Sequence, residues 1–434
     1  MQFFSRNSRV SPEEFETIEQ AITPYGEHLK TVVEKGGYSK TESSLCLPSD
    51  EKLLRLSEEA VNVKSSPALR YIFVVGIGGS DLGTKAVYDA IFGYYDGIEP
   101  HRFPKIIFLE TADATHLHRM QGGLSLSELN PKEFVVVIVS KSGTTTETIA
   151  NSEVLIHFLK GRESELLHRI VVITELDSIL WKAAEAQGIT TLPIPKTVGG
   201  RYSVFSPVGV FPLMMCGIDV HDLLEGARDM REQCLKPQHK ENPALASAAV
   251  LFTYYEQGLV VHDSFFFHPA LESLGKWYRQ LVGESLGKEN IKKSPVGILP
   301  TVSLGSTDLH SVGQLYFGGP KRSVTTFISV INEPATAIPT SRLFPELEPR
   351  LANKRMNDVL LATLKGTKLA YQNHGLPFLE TELSAVNARE LGKYLMWKMM
   401  EVMFLAQLLE VNAFDQPNVE AYKKETRAIL DFHE

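Results

Sequence analysis

Four short apolar runs constrain the fold more than any other feature of this sequence. They are "YIFVV" at 71–75, "KIIFL" at 105–109, "EFVVVIV" at 133–139 and "RIVVITE" at 169–175, and helix-like segments separate them. Parallel strands that are buried on both faces have this continuous apolar character, because helices cover the sheet on each side. The pattern predicts the α/β fold class, with a parallel sheet between helix layers over residues 61–230.

The remaining sequence predicts two further units. The polar, proline-containing segment "EQCLKPQHKENPA" is typical of a linker, and "GLVVHDSFFF", "VGILPTVS" and "SVTTFISV" follow it. These runs predict a second α/β domain over residues 231–434, which ends in helices such as "LGKYLMWKMMEVMFLAQLLEV". Residues 1–60 lack strong strand signals, and "SPEEFETIEQAI" has the Ser cap and early acids of a helical entry segment.

Composition and charge exclude several classes of protein. The chain has 434 residues with a net charge of -8, which argues against non-specific nucleic-acid binding. No stretch approaches the roughly 18 apolar residues of a membrane span, and the N-terminus lacks an apolar signal core. The three cysteines are far apart and have neither metal-ligand nor disulfide spacing. We therefore predict a cytoplasmic protein with no metal, no membrane partner and no nucleic-acid partner.

The stretch "SKSGTTTET" at 140–148 carries hydroxyl groups on six of its nine side chains. It follows a predicted buried strand and leads into a predicted helix, the place where parallel sheets bind ligands. Free backbone N–H groups and the helix dipole favour an anion there. A Ser/Thr-rich helix cap is the alternative, but a cap needs only one or two hydroxyls. The excess of hydroxyls predicts a site for a phosphate monoester.

Two glycine-containing loops add weaker signals. In "GIGGSDLGTK", Asp81 stands where a dinucleotide fingerprint requires glycine, and the order Thr84-Lys85 breaks the nucleotide-triphosphate motif. What remains is a tight turn that lets a ligand approach the backbone, or a turn that packs closely for fold reasons. In "VGGRYSVFSP", Arg201 follows two glycines. It could lie against a developing anion beside the Gly200 N–H, or form a surface ion pair.

Taken together, these stretches resemble the glucose-6-phosphate isomerase family. The matching motifs are "GIGGSDLG", "SKSGTTTET", "GGRYS", "GESLGKE", "STDLHSVGQ" and "FDQPNVEAYKK", and they span residues 71 to 425. The resemblance implies two sugar-isomerase (SIS) domains, each with a parallel sheet between helices, in a homodimer. It also implies interconversion of glucose 6-phosphate and fructose 6-phosphate without a metal or cofactor.

The resemblance also implies which residues hold the phosphate. Hydroxyl groups of the loop at 140–148 bind it, with help from the Gly-rich turn. The residues concerned are Gly79, Ser80, Ser140, Lys141, Ser142, Thr145 and Thr148.

Two copies of "ESLGK", at Glu272 and Glu284, compete for the role of catalytic base. Isomerisation moves one proton between carbons 2 and 1 of the sugar through an enediolate, and a single carboxylate can do this. Twelve helical residues turn a side chain through about 120 degrees, so both copies cannot face one pocket from one helix. The family pattern resembles "WYRQLVGESLGKE", which selects Glu284, with Gln280 one turn back lining the site. Glu272 is expected to be solvated near a helix start.

The resemblance assigns roles at the ring-opening end as well. His310 in "STDLHSVGQ" is similar to the family histidine that helps open the sugar ring and that comes from the partner subunit. Lys423 in "FDQPNVEAYKK" is similar to the lysine that assists at the ring oxygen, although Lys424 competes by composition.

Two more positions complete the implied site. Gln416 matches an active-site glutamine of the family. Arg201, with the Gly200 N–H, would stabilise the charge of the enediolate.

Two alternatives to this function stay open. One is a hexose-phosphate isomerase that also accepts mannose 6-phosphate, because pocket details decide how one epimeric hydroxyl is recognised. The other is a non-catalytic sugar-phosphate sensor that keeps the domains. The presence of Glu284, His310 and Lys423 counts against a sensor, which needs the phosphate site alone.

Overall fold

A computed structural model describes residues 1–159 and 163–431 of the chain. Within these residues the strands, numbered in chain order, are β1 Gln2–Phe4, β2 Tyr71–Val75, β3 Lys105–Leu109, β4 Phe134–Val139, β5 Ile170–Glu175, β6 Thr190–Ile194, β7 Val261–Phe266, β8 Lys288–Glu289, β9 Pro295–Val296, β10 Leu299–Leu304, β11 Ser323–Val330 and β12 Phe378–Leu383.

The helices of the same residues alternate with these strands and cover them. They are α1 Pro12–Lys35, α2 Glu51–Lys64, α3 Leu82–Phe92, α4 Ala114–Gly123, α5 Thr146–Phe158, α6 Glu163–Leu167, α7 Ile179–Ala186, α8 Pro207–Met215, α9 Val220–Cys234, α10 Pro243–Glu256, α11 Glu272–Leu286, α12 Gly313–Gly318, α13 Met356–His374, α14 Ala388–Leu408 and α15 Glu420–Asp431. None of them is both long enough and apolar enough to cross a membrane.

The first sheet contains β2 to β6 in the order β3-β2-β4-β5-β6, and every neighbouring pair is parallel. All residues of β2 and β4 are buried, as their continuous apolar sequences predict. The predicted α/β fold class is confirmed by this sheet and its covering helices.

The second sheet has the order β1-β12-β11-β7-β10. Its four C-terminal strands are parallel, whereas β1 pairs antiparallel with β12 at the edge. The expectation of an N-terminal segment without strands is therefore wrong for Gln2–Phe4. Three residues are too few for a recognisable strand pattern, and β1 exists because β12 offers it a free edge.

Each sheet reverses its strand order at one point. The first sheet starts at β2, and β3 is added on one side of it while β4, β5 and β6 are added on the other. The strand order therefore reverses between the neighbours β2 and β4. In the second sheet the same relation holds for β7 and β11. Ligands of open parallel sheets bind beyond the carboxyl ends of such strands. In the first sheet this edge carries the Gly-rich turn after β2 and the hydroxyl-rich loop after β4.

Helix α14 joins the two halves. It is buried along almost its whole length, and its buried charged residues include the ion pair of Lys398 and Glu401. It packs against α9 at two glycines, where an added Cβ on Gly226 or Gly392 would lie 2.0 Å from a carbonyl oxygen of the other helix. Since α9 runs across residue 230, the predicted boundary there falls inside a helix, and the three domain ranges stay a prediction.

Candidate functional site

The hydroxyl-rich loop lies at the carboxyl end of β4 and leads into α5. Thr145 occupies the N-cap position, yet its hydroxyl does not cap the helix. It lies 2.9 Å from the Ser140 hydroxyl instead, and Ser140 Oγ also accepts a hydrogen bond from the Gly143 N–H at 3.1 Å. The exposed Ser142 hydroxyl accepts from the Thr144 N–H at 3.3 Å. The loop thus presents hydroxyls at a helix N-terminus that has no side-chain cap of its own.

Two features of this loop favour an anionic ligand. Thr148 is buried in the first turn of α5, and its hydroxyl has no hydrogen-bond partner within the described residues. A buried polar atom without a partner is uncommon in native proteins. Lys141 donates to the Lys196 carbonyl at 2.7 Å. Burial lowers the pKa of Lys141, Glu175 acts in the opposite direction, and nearby Arg201 lowers the pKa further.

The Gly-rich turn at the end of β2 connects this loop to the arginine. A Cβ on Gly76 would lie 3.3 Å from the carbonyl oxygen of Val139, the last residue of β4. A Cβ on Gly79 would lie 2.3 Å from the carbonyl carbon of Gly200, so no side chain fits between these two backbones. Ser80 follows at the end of the turn. The loops carrying Ser80 and Arg201 are therefore in direct backbone contact.

Arg201 is buried, with 2% of its surface exposed. Three of its five N–H donors bind acceptors that the fold holds in place. Its Nε donates to Ser285 Oγ at 2.8 Å. Its Nη2 donates to the carbonyls of Ala413 and Asp415 at 2.6 and 3.0 Å. These contacts fix the guanidinium between α11 and the segment that follows α14, so the arginine is not the surface residue that its loop position allowed.

The remaining donors of Arg201 bind two predicted site residues. Nη1 donates to Glu284 Oε2 at 3.2 Å and to Gln416 Oε1 at 2.7 Å. Gln280 Nε2 donates to the other oxygen of Glu284 at 3.0 Å, while Gln280 Oε1 is buried without a partner in the described part of the chain. We call Arg201, Gln280, Glu284, Ser285 and Gln416 the arginine–carboxylate cluster.

The structure separates the two copies of "ESLGK" along one helix. Glu284 lies in the last turn of α11 with its side chain 30% exposed, which leaves the carboxylate open to solvent on one side. Glu272 is the first residue of the same helix and pairs with Lys276 at 2.7 Å. Twelve residues correspond to about 18 Å along a helix axis, so the two carboxylates lie at opposite ends of α11 and cannot belong to one site.

A buried polar network anchors α11. The Tyr278 hydroxyl donates to Glu401 at 2.6 Å and lies 2.9 Å from His262 Nδ1. Glu401 also accepts from Lys398 at 2.8 Å, and neither side chain of this ion pair is exposed. Burial and the charge of Lys398 lower the pKa of His262, so its imidazole is neutral. These contacts fix the middle of α11 and hence the orientation of its last turn.

Two predicted site residues lie outside this arrangement, and we call them the exposed pair. His310 follows β10 on an exposed turn, and its imidazole makes no hydrogen bond or ion pair within the described residues. Lys423 donates to Glu420 at 2.8 Å on α15, a helix whose described residues are all exposed or partly exposed. Neither residue is hydrogen-bonded to the arginine–carboxylate cluster in the described part of the chain.

Sequence reasoning missed two side chains that complete the site. Ser285 accepts from Arg201 and lies 3.1 Å from the Tyr202 hydroxyl. Lys288 donates to the carbonyl groups of Asn412 and Asp415, each at 2.7 Å. Both belong to "GESLGKE", the motif that identified Glu284. Their closeness in sequence to the predicted base was the signal that could have identified them. Among the described residues, no group of three or more His, Cys, Asp or Glu side chains is placed to hold a metal ion.

Comparisons with known proteins agree with this fold. A family model described as phosphoglucose isomerase matches residues 56–345. The chain is 32% identical over 365 residues to the glucose-6-phosphate isomerase of Methanocaldococcus jannaschii, covering 83% of this chain and 84% of that protein.

Two solved structures show the same architecture. One is a hypothetical protein of Thermus thermophilus, with a TM-score of 0.86 and 30% identity over 99% of both chains. The other is a glucose-6-phosphate isomerase of Chlamydia trachomatis, with a TM-score of 0.81 and 19% identity, covering 99% of this chain and 88% of that one. The fold class is that of the sugar-isomerase (SIS) domains. Within that class, the chain belongs to the phosphoglucose isomerase family.

Proposed function

We propose that this protein is an aldose–ketose isomerase that interconverts glucose 6-phosphate and fructose 6-phosphate. The observation that carries the proposal is the partly exposed Glu284 carboxylate, held by Arg201 and Gln280 next to a hydroxyl-lined helix N-terminus. Membership of the phosphoglucose isomerase family and a relative named glucose-6-phosphate isomerase support the proposal. No observation in the structure favours a wider substrate range, and the oriented carboxylate is a group that a mere sensor does not need.

Glu284 is the acid and base of the reaction. Its carboxylate takes the proton from carbon 2 of the open-chain aldose, which forms the enediolate. The hydroxyl proton passes from the oxygen on carbon 2 to the oxygen on carbon 1, and Glu284 returns the first proton to carbon 1, which gives the ketose. The reverse reaction uses the same steps in the opposite order. Both oxygens of Glu284 accept a hydrogen bond from the protein, so the group is aimed before the substrate arrives.

Arg201 stabilises the enediolate mainly by its charge. All five donors of the guanidinium already have acceptors, so its position does not depend on the substrate. A fixed cation in a site of low polarity lowers the energy of a developing anion without reorganisation. The Gly200 N–H and the side chains of Gln280 and Gln416 line the same end of the site.

The phosphate group lies at the opposite end, on the loop after β4. Ser140, Ser142 and Thr145 supply hydroxyl contacts, and Lys141 supplies a positive charge. Gly79, Ser80 and Thr148 complete this end, and the unpaired Thr148 hydroxyl gains a partner when an anion binds.

Ring opening requires the exposed pair, and this part of the proposal includes a homodimer. His310 has no partner for its imidazole within the described chain, which suits a residue that completes the site of a second subunit. Lys423 lies on α15, whose described residues are all exposed or partly exposed, and we propose that a movement of this helix brings it to the sugar ring. We place the enzyme in the cytoplasm, where the reducing environment suits its three free cysteines.

A coupled assay with fructose 6-phosphate tests the proposal. We expect wild-type protein to be active and Glu284→Gln to lose kcat by several orders of magnitude, about the 10²- to 10⁴-fold worth of a positioned acid–base group. Glu272→Gln is the matched control, because it alters the other "ESLGK" copy on the same helix and should stay near wild type. An inactive wild type, or a loss with Glu272→Gln alone, would contradict the proposal.

A further inference from the structure

We propose that Lys288 is a positioning residue that fixes segment 412–416 and thereby the orientation of Arg201 and Gln416. The inference rests on the proposed isomerase function and deepens it. The motif "GESLGKE" contains this lysine, but the family resemblance left it without a role.

The Lys288 side chain is mostly buried, and its ammonium group has a complete set of acceptors. It lies immediately after the C-cap of α11, four residues beyond Glu284, and its side chain is 7% exposed. Its ammonium group donates to the Asn412 carbonyl at 2.7 Å, the Asp415 carbonyl at 2.7 Å and the Asp415 carboxylate at 2.8 Å. An ammonium group has three donors, so each has an acceptor on one short segment.

The Asp415 carbonyl links this lysine to the arginine–carboxylate cluster. It accepts from Lys288 Nζ and also from Arg201 Nη2 at 3.0 Å, which occupies both of its lone pairs. The next residue, Gln416, accepts from Arg201 Nη1. Two cations thus hold a single peptide group from two sides, and a shift of that group moves acceptors of two Arg201 nitrogens at once.

The charges around Lys288 agree with this role. Burial lowers its pKa, the hydrogen bond and charge of Asp415 act in the opposite direction, and the positive charge of Arg201 lowers it further. Glu284 is near enough to favour the charged form. The carbonyl and the carboxylate of Asp415 offset the repulsion between the Lys288 ammonium group and the buried guanidinium.

The contacts of Lys288 concern the reacting end of the site and not the phosphate end. Its hydrogen bonds within the described chain all go to 412–415, whereas the hydroxyl loop lies on the first sheet after β4. We therefore expect Lys288 to affect the chemical step and to leave substrate affinity nearly unchanged.

The test is the steady-state kinetics of Lys288→Met with fructose 6-phosphate. Methionine keeps the length and apolar volume but removes the charge and all donors. We expect kcat to fall about 10- to 100-fold, the cost of a small misplacement of catalytic groups, with KM changed less than about threefold. Lys288→Arg keeps a charged donor and should recover part of kcat. A kcat of Lys288→Met within twofold of wild type would overturn the inference.

Lys292→Met is the matched control. Lys292 pairs with Glu410, two residues before segment 412–416, at 2.7 Å, but its side chain is 71% exposed. Its replacement should change neither kcat nor KM. If both lysine variants lowered kcat equally, a general loosening of the segment would explain the result and the inference would fail.

Two further outcomes separate the inference from the proposed function. An inactive wild type rejects the function, whereas an active wild type with a fully active Lys288→Met rejects the role of Lys288 alone. If Lys288→Met does not fold, Asp415→Asn replaces it, because this change weakens the same contact. A severalfold fall in kcat at unchanged KM then supports the inference, and an unchanged kcat overturns it.

Discussion

The arginine–carboxylate cluster and the exposed pair differ in how a single chain holds them. In the cluster, Arg201 is buried and every one of its donors is bound. In the exposed pair, His310 has no side-chain partner within the described residues, and Lys423 has a surface contact with Glu420. Surface ion pairs contribute little to stability, so the exposed pair can change position at small cost.

The two groups of residues serve steps with different requirements. Proton transfer needs groups that are in place beforehand, whereas ring opening needs a site that the substrate can enter. Proton transfer between two carbons needs a carboxylate and a cation at fixed positions before the sugar arrives. Ring opening acts on a bulky cyclic substrate that has to enter and leave. We therefore expect removal of a charged group of the cluster to be more damaging than substitutions in the exposed pair.

The largest effect should come from Arg201→Met. It removes the fixed charge and the hydrogen bonds that Arg201 donates to Glu284, to Gln416 and to two carbonyls, so we expect kcat to fall about 10³-fold. Steady-state kinetics below the unfolding temperature of the variant provide the measurement. Arg279→Met, at an exposed position of α11, is the control and should be active. A folded Arg201→Met with kcat within tenfold of wild type would show that the cluster is not essential.

His310→Gln should lower kcat about 10²-fold, because an acid–base group is lost. The origin of this histidine can be tested with mixed dimers of Glu284→Gln and His310→Gln chains that carry different affinity tags. Each mixed dimer has one intact site only if His310 acts in the partner subunit, and about half of the wild-type activity should return. No recovery would place His310 in the site of its own chain. His221→Gln, on the exposed side of α9, is the control for a surface histidine.

The double variant Ser142→Ala with Thr145→Ala should raise KM about 30-fold and leave kcat nearly unchanged. Each lost hydroxyl contact to the phosphate is worth about 1 kcal/mol, and 1.4 kcal/mol corresponds to a factor of ten. Thr146→Ala removes an exposed hydroxyl from the same helix start and serves as the control. An unchanged KM in the double variant would place the phosphate elsewhere.

The smallest effect should come from Ser285→Ala, which removes one acceptor of Arg201 and leaves four. We expect kcat to fall about fivefold, which corresponds to about 1 kcal/mol, the typical net contribution of one hydrogen bond. Tyr202→Phe is a matched comparison, since it removes the other contact of the Ser285 hydroxyl. Equal losses in the two variants would indicate that packing around Ser285, and not its bond to Arg201, is what matters.

Local patterns were enough to predict the fold class and the positions of the two loops. Buried parallel strands are continuous apolar runs, and β2, β4 and β5 have this form. The strand β12 escaped recognition because Glu380 and Glu382 interrupt its sequence. Glu380 is nonetheless buried, since Asn7 and Lys368 both donate to its carboxylate.

The contacts of Arg201 could not be predicted from sequence. Two of its acceptors are backbone carbonyls more than 200 residues away. Every residue type has a backbone carbonyl, so the sequence does not show which carbonyl accepts a hydrogen bond. The same holds for Lys288, whose acceptors are mostly main-chain oxygens. Motif similarity identifies such residues, but tertiary contacts alone explain what they hold.

The backbone contact between Gly79 and Gly200 has a consequence for substrate choice. In the proposed binding mode it couples the phosphate end of the site to Arg201, so we expect the gap between them to be fixed. We predict that a triose phosphate bound at the hydroxyl loop is too short to reach Glu284. Enlarging either glycine should blur that length discrimination, which competition between short and long sugar phosphates would reveal.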